Sequence, residues 1–287
     1  MNGKWSVVTR VPLLVTVLLG LAGCYQEPPP PRVTGVCRPL VIPPAPSLPP
    51  APAPALTTPA PPPAPMTAPV RSSRRLIGRS VQGRPILVQI AGHGTDTVLI
   101  MGSIHGDEPA GARLVNRLAE HLQDSPQLLT DRRVVLLPVT NPDGLAARTR
   151  ANARGIDLNR NFETGNRVDN RTNGLRSLTE PESQALQSLI KEYAPSRIVS
   201  IHSPLNCIDY DGPGQAIAAR MAQECDLAVK KLGARPGSLG SYTGATLGIP
   251  TITLELPSEA GKMTDLTLWE KYGQALMAAV LYPDRAP

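Results

Sequence analysis

Between Pro28 and Pro69 the chain carries 18 of its 33 prolines, interleaved with alanine and with Arg32 and Arg38 as the stretch's only charges. Proline fixes φ and has no backbone N–H, so such a run builds neither helix nor interior strand. With few large apolar side chains, it has no core to bury either. It reads as an extended polyproline spacer, a disordered linker over residues 24–74. At about 3.1 Å per residue, roughly forty residues reach on the order of 100 Å. Folding is left to residues 75–287, a length that suits one domain.

Within that region, short runs rich in Val and Ile, "PILVQIA", "TVLIMGS", "RVVLLPV", "RIVSI" and "IPTITLE", have the length of strands. Helical patterns lie between them. Pro109 opens one as a first-turn residue, with Leu114, Val115, Leu118 and Leu122 on one stripe. "TEPES" opens another, with Thr179 and Glu182 spaced as a capping box. Further helices are expected over roughly 214–232 and 264–281. Strands alternating with helices predict an α/β domain with a largely parallel, buried sheet.

The N-terminus points out of the cytoplasm. Lys4 and Arg10 precede the apolar run "VPLLVTVLLGLAGC", too short to span a membrane and ending in small residues. Residues 1–23 read as an export signal, and "LAGC" resembles the lipobox of bacterial lipoproteins, which implies cleavage before Cys24 and lipid on that residue. An uncleaved N-terminal anchor is the alternative. Tyr25 after Cys24, rather than aspartate, matches outer-membrane retention, with the domain facing the periplasm on its tether. Charge follows the same division. The first 74 residues hold six Lys or Arg against Glu27, so +5 of the formal +6 lies there. The remainder is near neutral, which removes the main support for a nucleic-acid partner. Cys207 and Cys225 are the cysteines of the globular part; in an oxidising compartment they are candidates to pair, and spacing alone does not decide it.

Ligands of parallel sheets sit at the carboxyl ends of strands, and the polar chemistry collects there. "HGDE" follows the second run, His202 follows "RIVSI", and Glu255 closes "TITLE". Zinc takes imidazole nitrogen and carboxylate oxygen, and a catalytic site keeps three protein ligands with one position open. His105 and Glu108 converge from a tight turn, with Gly106 expected to let the backbone bend. Of the remaining histidines, His93 sits in a glycine-flanked turn and His121 in a helix beside Leu118 and Leu122. His202 is the third ligand that fits.

The stretch "NPDGLAARTRANARGIDLNRNF", residues 141–162, makes a resemblance specific. HxxE, an arginine shortly after NPDG, a DxNRN block, a distant histidine and a final strand glutamate occur in the order seen in the zinc carboxypeptidase family, which residues 75–287 resemble throughout. The resemblance implies that family's fold, a mixed, largely parallel central sheet flanked by helices. It implies one Zn2+ per chain, held by His105, Glu108 and His202. By the same match, Asp157 orients a ligand histidine, Glu255 is the general base, Arg150 steadies the oxyanion, and Asn159 with Arg160 holds a substrate carboxylate. "SIHSPLNCIDYDGP" and "GIPTITLELP" bring the likeness nearest to murein peptide amidases, which cut the bond between γ-D-glutamate and diaminopimelate.

That likeness implies murein peptides or peptidoglycan stem peptides as substrate, with Asp209 or Asp211 as an acidic partner for the remote ammonium of diaminopimelate. An Asx turn before Gly212 and Pro213 is the other reading of those two residues. The sequence departs from digestive carboxypeptidases in its tyrosine: Tyr242 stands only thirteen residues before Glu255. Two other functions remain open. One is an N-acyl amino acid acylase of the desuccinylase or aspartoacylase type, which shares the HGxE turn; the other is a catalytically silent wall-binding lipoprotein.

Overall fold

A computed structural model describes residues 73–283. The expected signal segment 1–23, the lipid-carrying Cys24 and the tether as far as residue 72 lie outside the described residues. Seven strands form one sheet: β1 (Ser73–Arg79), β2 (Pro85–Ala91), β3 (Asp96–Met101), β4 (Arg132–Leu137), β5 (Arg197–His202), β6 (Leu205–Asp211) and β7 (Thr251–Pro257). Their order is β1-β2-β4-β3-β5-β7-β6. The four central strands run parallel, and the outer pairings, β1–β2, β2–β4 and β6–β7, are antiparallel. This is the mixed, largely parallel sheet expected from the sequence.

The helices are α1 (Pro109–Asp124), α2 (Pro142–Ala147), α3 (Pro181–Tyr193), α4 (Gln215–Ala222) and α5 (Asp265–Leu281). Side chains alternate between the sheet's faces, so each central strand feeds two cores. Val98, Ile100, Val134, Leu136, Ile252 and Leu254 pack with α1, α4 and α5. Leu99, Met101, Val135, Leu137 and Ile198 pack with α3 and Phe162 on the other side. Burial on both faces is why these strands read as unbroken apolar runs. The predicted α1 stripe is fully buried, each such side chain being worth about 1.5–3 kcal/mol.

Two strands were not legible as strands. β1 is a polar edge with two consecutive arginines and mostly exposed residues, the kind of sequence that blocks edge-to-edge pairing. β6 alternates Cys207, Asp209 and Asp211 on one face with Ile208 on the other, so half its inward positions are polar. The helix expected over 214–232 stops at Ala222. Beyond it, residues 228–230 pair with β6 instead: Ile208 donates its N–H to the Ala228 carbonyl, and Lys230 donates to that of Ile208, both at 2.9 Å. Sheet pairing there overrides helix propensity. The capping box is not formed either. Glu180 is the N-cap of α3, while the Glu182 carboxylate turns inward to accept from Val81 N–H at 3.1 Å and Asn152 Nδ2 at 3.2 Å.

After β3 the chain passes to β4 on one side, then returns through α3 to β5 on the other. The carboxyl ends of β3 and β5 therefore flank a switch point, where the sheet leaves a crevice.

Candidate metal centre and active site

His105 and Glu108 follow β3 in one tight turn that runs into α1. Glu108 donates its N–H to the His105 carbonyl at 3.3 Å, and the Ser103 hydroxyl donates to the Glu108 carbonyl at 3.1 Å. Pro109 then starts the helix, where a missing N–H costs nothing. Gly106 serves differently from the expected sharp bend: its φ is not in the left-handed region. A Cβ on it would stand 1.9 Å from the Gly144 carbonyl carbon, so the glycine is there to let α2 lie against the turn.

His202 ends β5 and lies in register with Glu255 on β7. His105, Glu108 and His202 are all buried, and one ligand atom from each lies within 4.8 Å of the others. His105 Nδ1 is 2.9 Å from Glu108 Oε1, His202 Nδ1 is 3.0 Å from Glu108 Oε2, and the two Nδ1 atoms are 3.2 Å apart. The far nitrogens are occupied: His105 Nε2 meets Asp157 Oδ1 at 3.2 Å, and His202 Nε2 meets Ser200 Oγ at 3.0 Å. With a proton on His105 Nε2, assigned from the Asp157 contact, the Nδ1 lone pair faces the Glu108 carboxylate. Acceptors brought face to face in this way suit a cation between them. The spacings also approach the edge of about 3.3 Å expected of a tetrahedron with zinc–ligand bonds of roughly 2.0–2.1 Å.

The protonation equilibria agree. Burial by itself depresses His105, yet the Asp157 and Glu108 carboxylates outweigh it and raise its pKa, so the pocket favours positive charge at this point. Burial alone would raise Glu108, but hydrogen bonds to His105 and His202 hold it at about 2. Burial likewise opposes ionisation of Asp157, which His105 and the charges of Arg150 and Arg160 hold well below the carboxylate range. Glu255 is different: its pKa is raised, chiefly by burial.

Asp157 joins several parts of the site. Besides His105 it takes Arg150 Nε at 2.9 Å and the Asn159 N–H at 2.9 Å. Arg150 Nη1 is 3.7 Å from Glu108 Oε1. The Asn159 carboxamide oxygen accepts the Leu239 N–H at 2.9 Å, which leaves its NH2 end to donate. His105, Glu108, Arg150, Asn159, Arg160 and Glu255 line a single cavity of about 250 Å3.

Asp209 and Asp211 also line it, with unequal freedom. The Asp209 carboxylate accepts the Leu232 N–H at 2.8 Å and so anchors the strand-like return beside β6. Asp211 is buried, its pKa raised by that burial against the pull of Lys231, whose Nζ is 3.4 Å away. Tyr242 stacks on Phe162, ring centroids 5.6 Å apart, inside the α3-side core and not in the cavity lining. The thiols are free. Cys207 shares a face with Glu255, whereas Cys225 packs on the opposite face with α5, so they do not pair. Ser200 and Arg235 line the cavity as well, and the sequence assigns neither a role. Ser200 was recoverable, since it lies two residues before His202 on the same face of β5. Arg235, in an irregular loop, had no such signal.

Comparison with known proteins agrees with this geometry. The zinc carboxypeptidase family profile matches residues 66–263. Murein peptide amidase A of Escherichia coli K12 is 34% identical over 199 residues, covering 63% of this chain and 79% of the relative. The Vibrio campbellii protein of the same name is 32% identical over 229 residues, covering 72% and 87%. Among solved structures, murein-tripeptide amidase from Escherichia coli O157 superposes with a TM-score of 0.60 at 27% identity, covering 76% of this chain and 94% of that one. Bovine thrombin-activatable fibrinolysis inhibitor, at 17% identity, a TM-score of 0.63 and coverage of 73% and 88%, shares the fold. With a profile match over most of its length, and two imidazoles and a carboxylate meeting at the switch point of its sheet, this chain belongs to the zinc carboxypeptidase family of metallopeptidases.

Proposed function

We propose that this enzyme hydrolyses the amide bond between γ-D-glutamate and diaminopimelate in murein peptides, with zinc held by His105, Glu108 and His202. The observation that carries the reading is the convergence of those three side chains in a cavity that Glu255 and Arg160 also line. The murein peptide amidases among its relatives supply the substrate class.

When bound, zinc supplies an activated water and polarises the scissile carbonyl. Glu255 accepts the water's proton on its carboxylate and delivers it to the leaving amine. Burial raises its pKa, which favours its taking a proton. Arg150, tethered through Asp157 beside Glu108, places a guanidinium where negative charge develops on the carbonyl oxygen. Arg160 and the Asn159 NH2 receive the carboxylate of the leaving residue, the fork of the guanidinium matching two oxygens. Asp211 is the aspartate assigned to a distal ammonium: Asp209 holds the Leu232 N–H of the fold, whereas the partner of Asp211 is the half-exposed Lys231, a cation that a substrate ammonium can replace.

Asp157 should act through others. Asp157→Asn removes the charge that orients His105 and holds Arg150, and is expected to lower zinc affinity or activity about 10–100-fold. Competition of the purified variant against a zinc-chelating dye measures this.

We further propose, on the N-terminal sequence alone, that the enzyme lies outside the cytoplasm, with residues 1–23 cleaved, lipid on Cys24 and retention at the outer membrane facing the periplasm. The N-terminal charge pattern, the "LAGC" run and the proline-rich spacer support that placement. The deciding assay is cleavage of L-Ala-γ-D-Glu-meso-diaminopimelate, free and within intact sacculi, against N-acyl amino acids. Release of diaminopimelate supports the proposal; hydrolysis of acyl amino acids alone overturns it in favour of an acylase.

A further inference from the structure

The leaving-group end of the cavity holds more positive charge than one carboxylate requires. Arg150 is engaged by Asp157. Arg160 donates to the Asn159 carbonyl at 2.5 Å, and neither it nor Arg235 forms an ion pair with a carboxylate among the described residues, although both line the cavity. Burial, working against the pull of Asp157, and the charges of Arg150 and Arg235 hold the Arg160 guanidinium below its usual pKa. Asp157 already serves His105 and Arg150, so the remaining positive charge is a cost that an anionic ligand removes.

Arg235 also springs from a fixed backbone. Its carbonyl accepts the Ser238 N–H at 3.0 Å and the Ser241 hydroxyl at 2.7 Å. Two residues on, Gly237 adopts φ +68° and lies so close to Arg160 that a Cβ would stand 2.4 Å from the Arg160 carbonyl oxygen. The Gly237 carbonyl accepts the Phe162 N–H at 3.0 Å, and the Leu239 N–H goes to Asn159 at 2.9 Å. The segment bearing Arg235 is thus locked to the two residues that take the first carboxylate. Asp211 borders the same cavity, its Oδ2 against Gly240 and its Oδ1 3.4 Å from Nζ of the half-exposed Lys231. An acid and a free guanidinium together match the distal end of an amino acid that carries both an ammonium and a carboxylate.

We propose that Arg235 is a specificity-determining residue that binds a second, distal carboxylate of the leaving amino acid, so that the site selects a diamino dicarboxylic residue over a diamino monocarboxylic one. The inference deepens the murein-peptide reading and rests on it. Peptides ending in meso-diaminopimelate and in L-lysine isolate the claim, because both carry the distal ammonium and the glutamyl carboxylate and differ in the distal carboxylate.

The zinc-loaded full-length protein is expected to cleave L-Ala-γ-D-Glu-meso-diaminopimelate with kcat/KM at least about tenfold above that for L-Ala-γ-D-Glu-L-Lys, the worth of one charge-assisted contact. Arg235→Gln should bring the ratio towards one through the KM of the diaminopimelate peptide, and Arg235→Lys should recover part of it. Calorimetric binding of free diaminopimelate and free lysine to the same proteins is expected to follow the same order. Diaminopimelate bound no tighter than lysine, or a preference that survives Arg235→Gln, overturns the inference whether or not either peptide is cleaved. Arg235-dependent binding of diaminopimelate without hydrolysis of either peptide would instead overturn the reaction and leave the role of Arg235 standing.

Discussion

Glu255→Gln is expected to lower kcat on the murein tripeptide by on the order of 10³-fold, within the range that a general base contributes, while leaving zinc bound. The amide keeps the size of the side chain and its place on β7 opposite His202, yet it accepts no proton. The loss should therefore fall on kcat, with KM little changed, because Arg160 and Asn159 still hold the leaving residue. Single-turnover kinetics on zinc-loaded protein, with metal content measured on the same sample, separate this result from simple loss of the ion. A variant that retains zinc and at least a tenth of the wild-type rate would remove Glu255 from the mechanism.

The second large effect is expected at the metal. His202→Ala takes away one of three ligands and leaves Glu108 with His105 alone, so zinc occupancy should collapse. Charge stabilisation by a metal is worth several kcal/mol, and at about 1.36 kcal/mol per tenfold in rate the loss should reach roughly 10⁴-fold or more. The variant should nevertheless fold, because β5 is held by its apolar residues and by pairing on both sides. Circular dichroism would show an intact fold alongside the missing ion. The two variants thus give opposite signatures, one with metal and no proton acceptor, the other with the acceptor and no metal.

Much of this site is legible in the chain because its parts obey local rules. The central strands announce themselves as apolar runs, since both faces are buried, and the ligands follow at strand ends, where a parallel sheet places its chemistry. His105 and Glu108 share one turn, so their spacing of three residues carries the signal. What the chain conceals depends on contacts distant in sequence. Glu182 looked like a helix cap, yet its carboxylate is used by Val81 and Asn152. The helix after Gly214 looked long, yet residues 228–230 are recruited by the edge of β6. Gly106 looked like a hinge; its need for a bare Cα comes from Gly144, which only the folded chain brings near. Asp209 and Asp211 are alike in sequence and are separated by their partners in the fold, the Leu232 N–H for one and Lys231 for the other. Arg235 sits in a loop of no periodicity, so nothing short of the folded cavity relates it to Arg160.

The most direct test of the account is to strip the full-length protein with a chelator and return zinc in steps, following both binding and release of diaminopimelate from L-Ala-γ-D-Glu-meso-diaminopimelate. The account predicts an inactive stripped protein, activity that rises in proportion to bound zinc, and saturation at one ion per chain. Undiminished hydrolysis by the stripped protein, or zinc bound as tightly by His202→Ala as by the wild type, would contradict it.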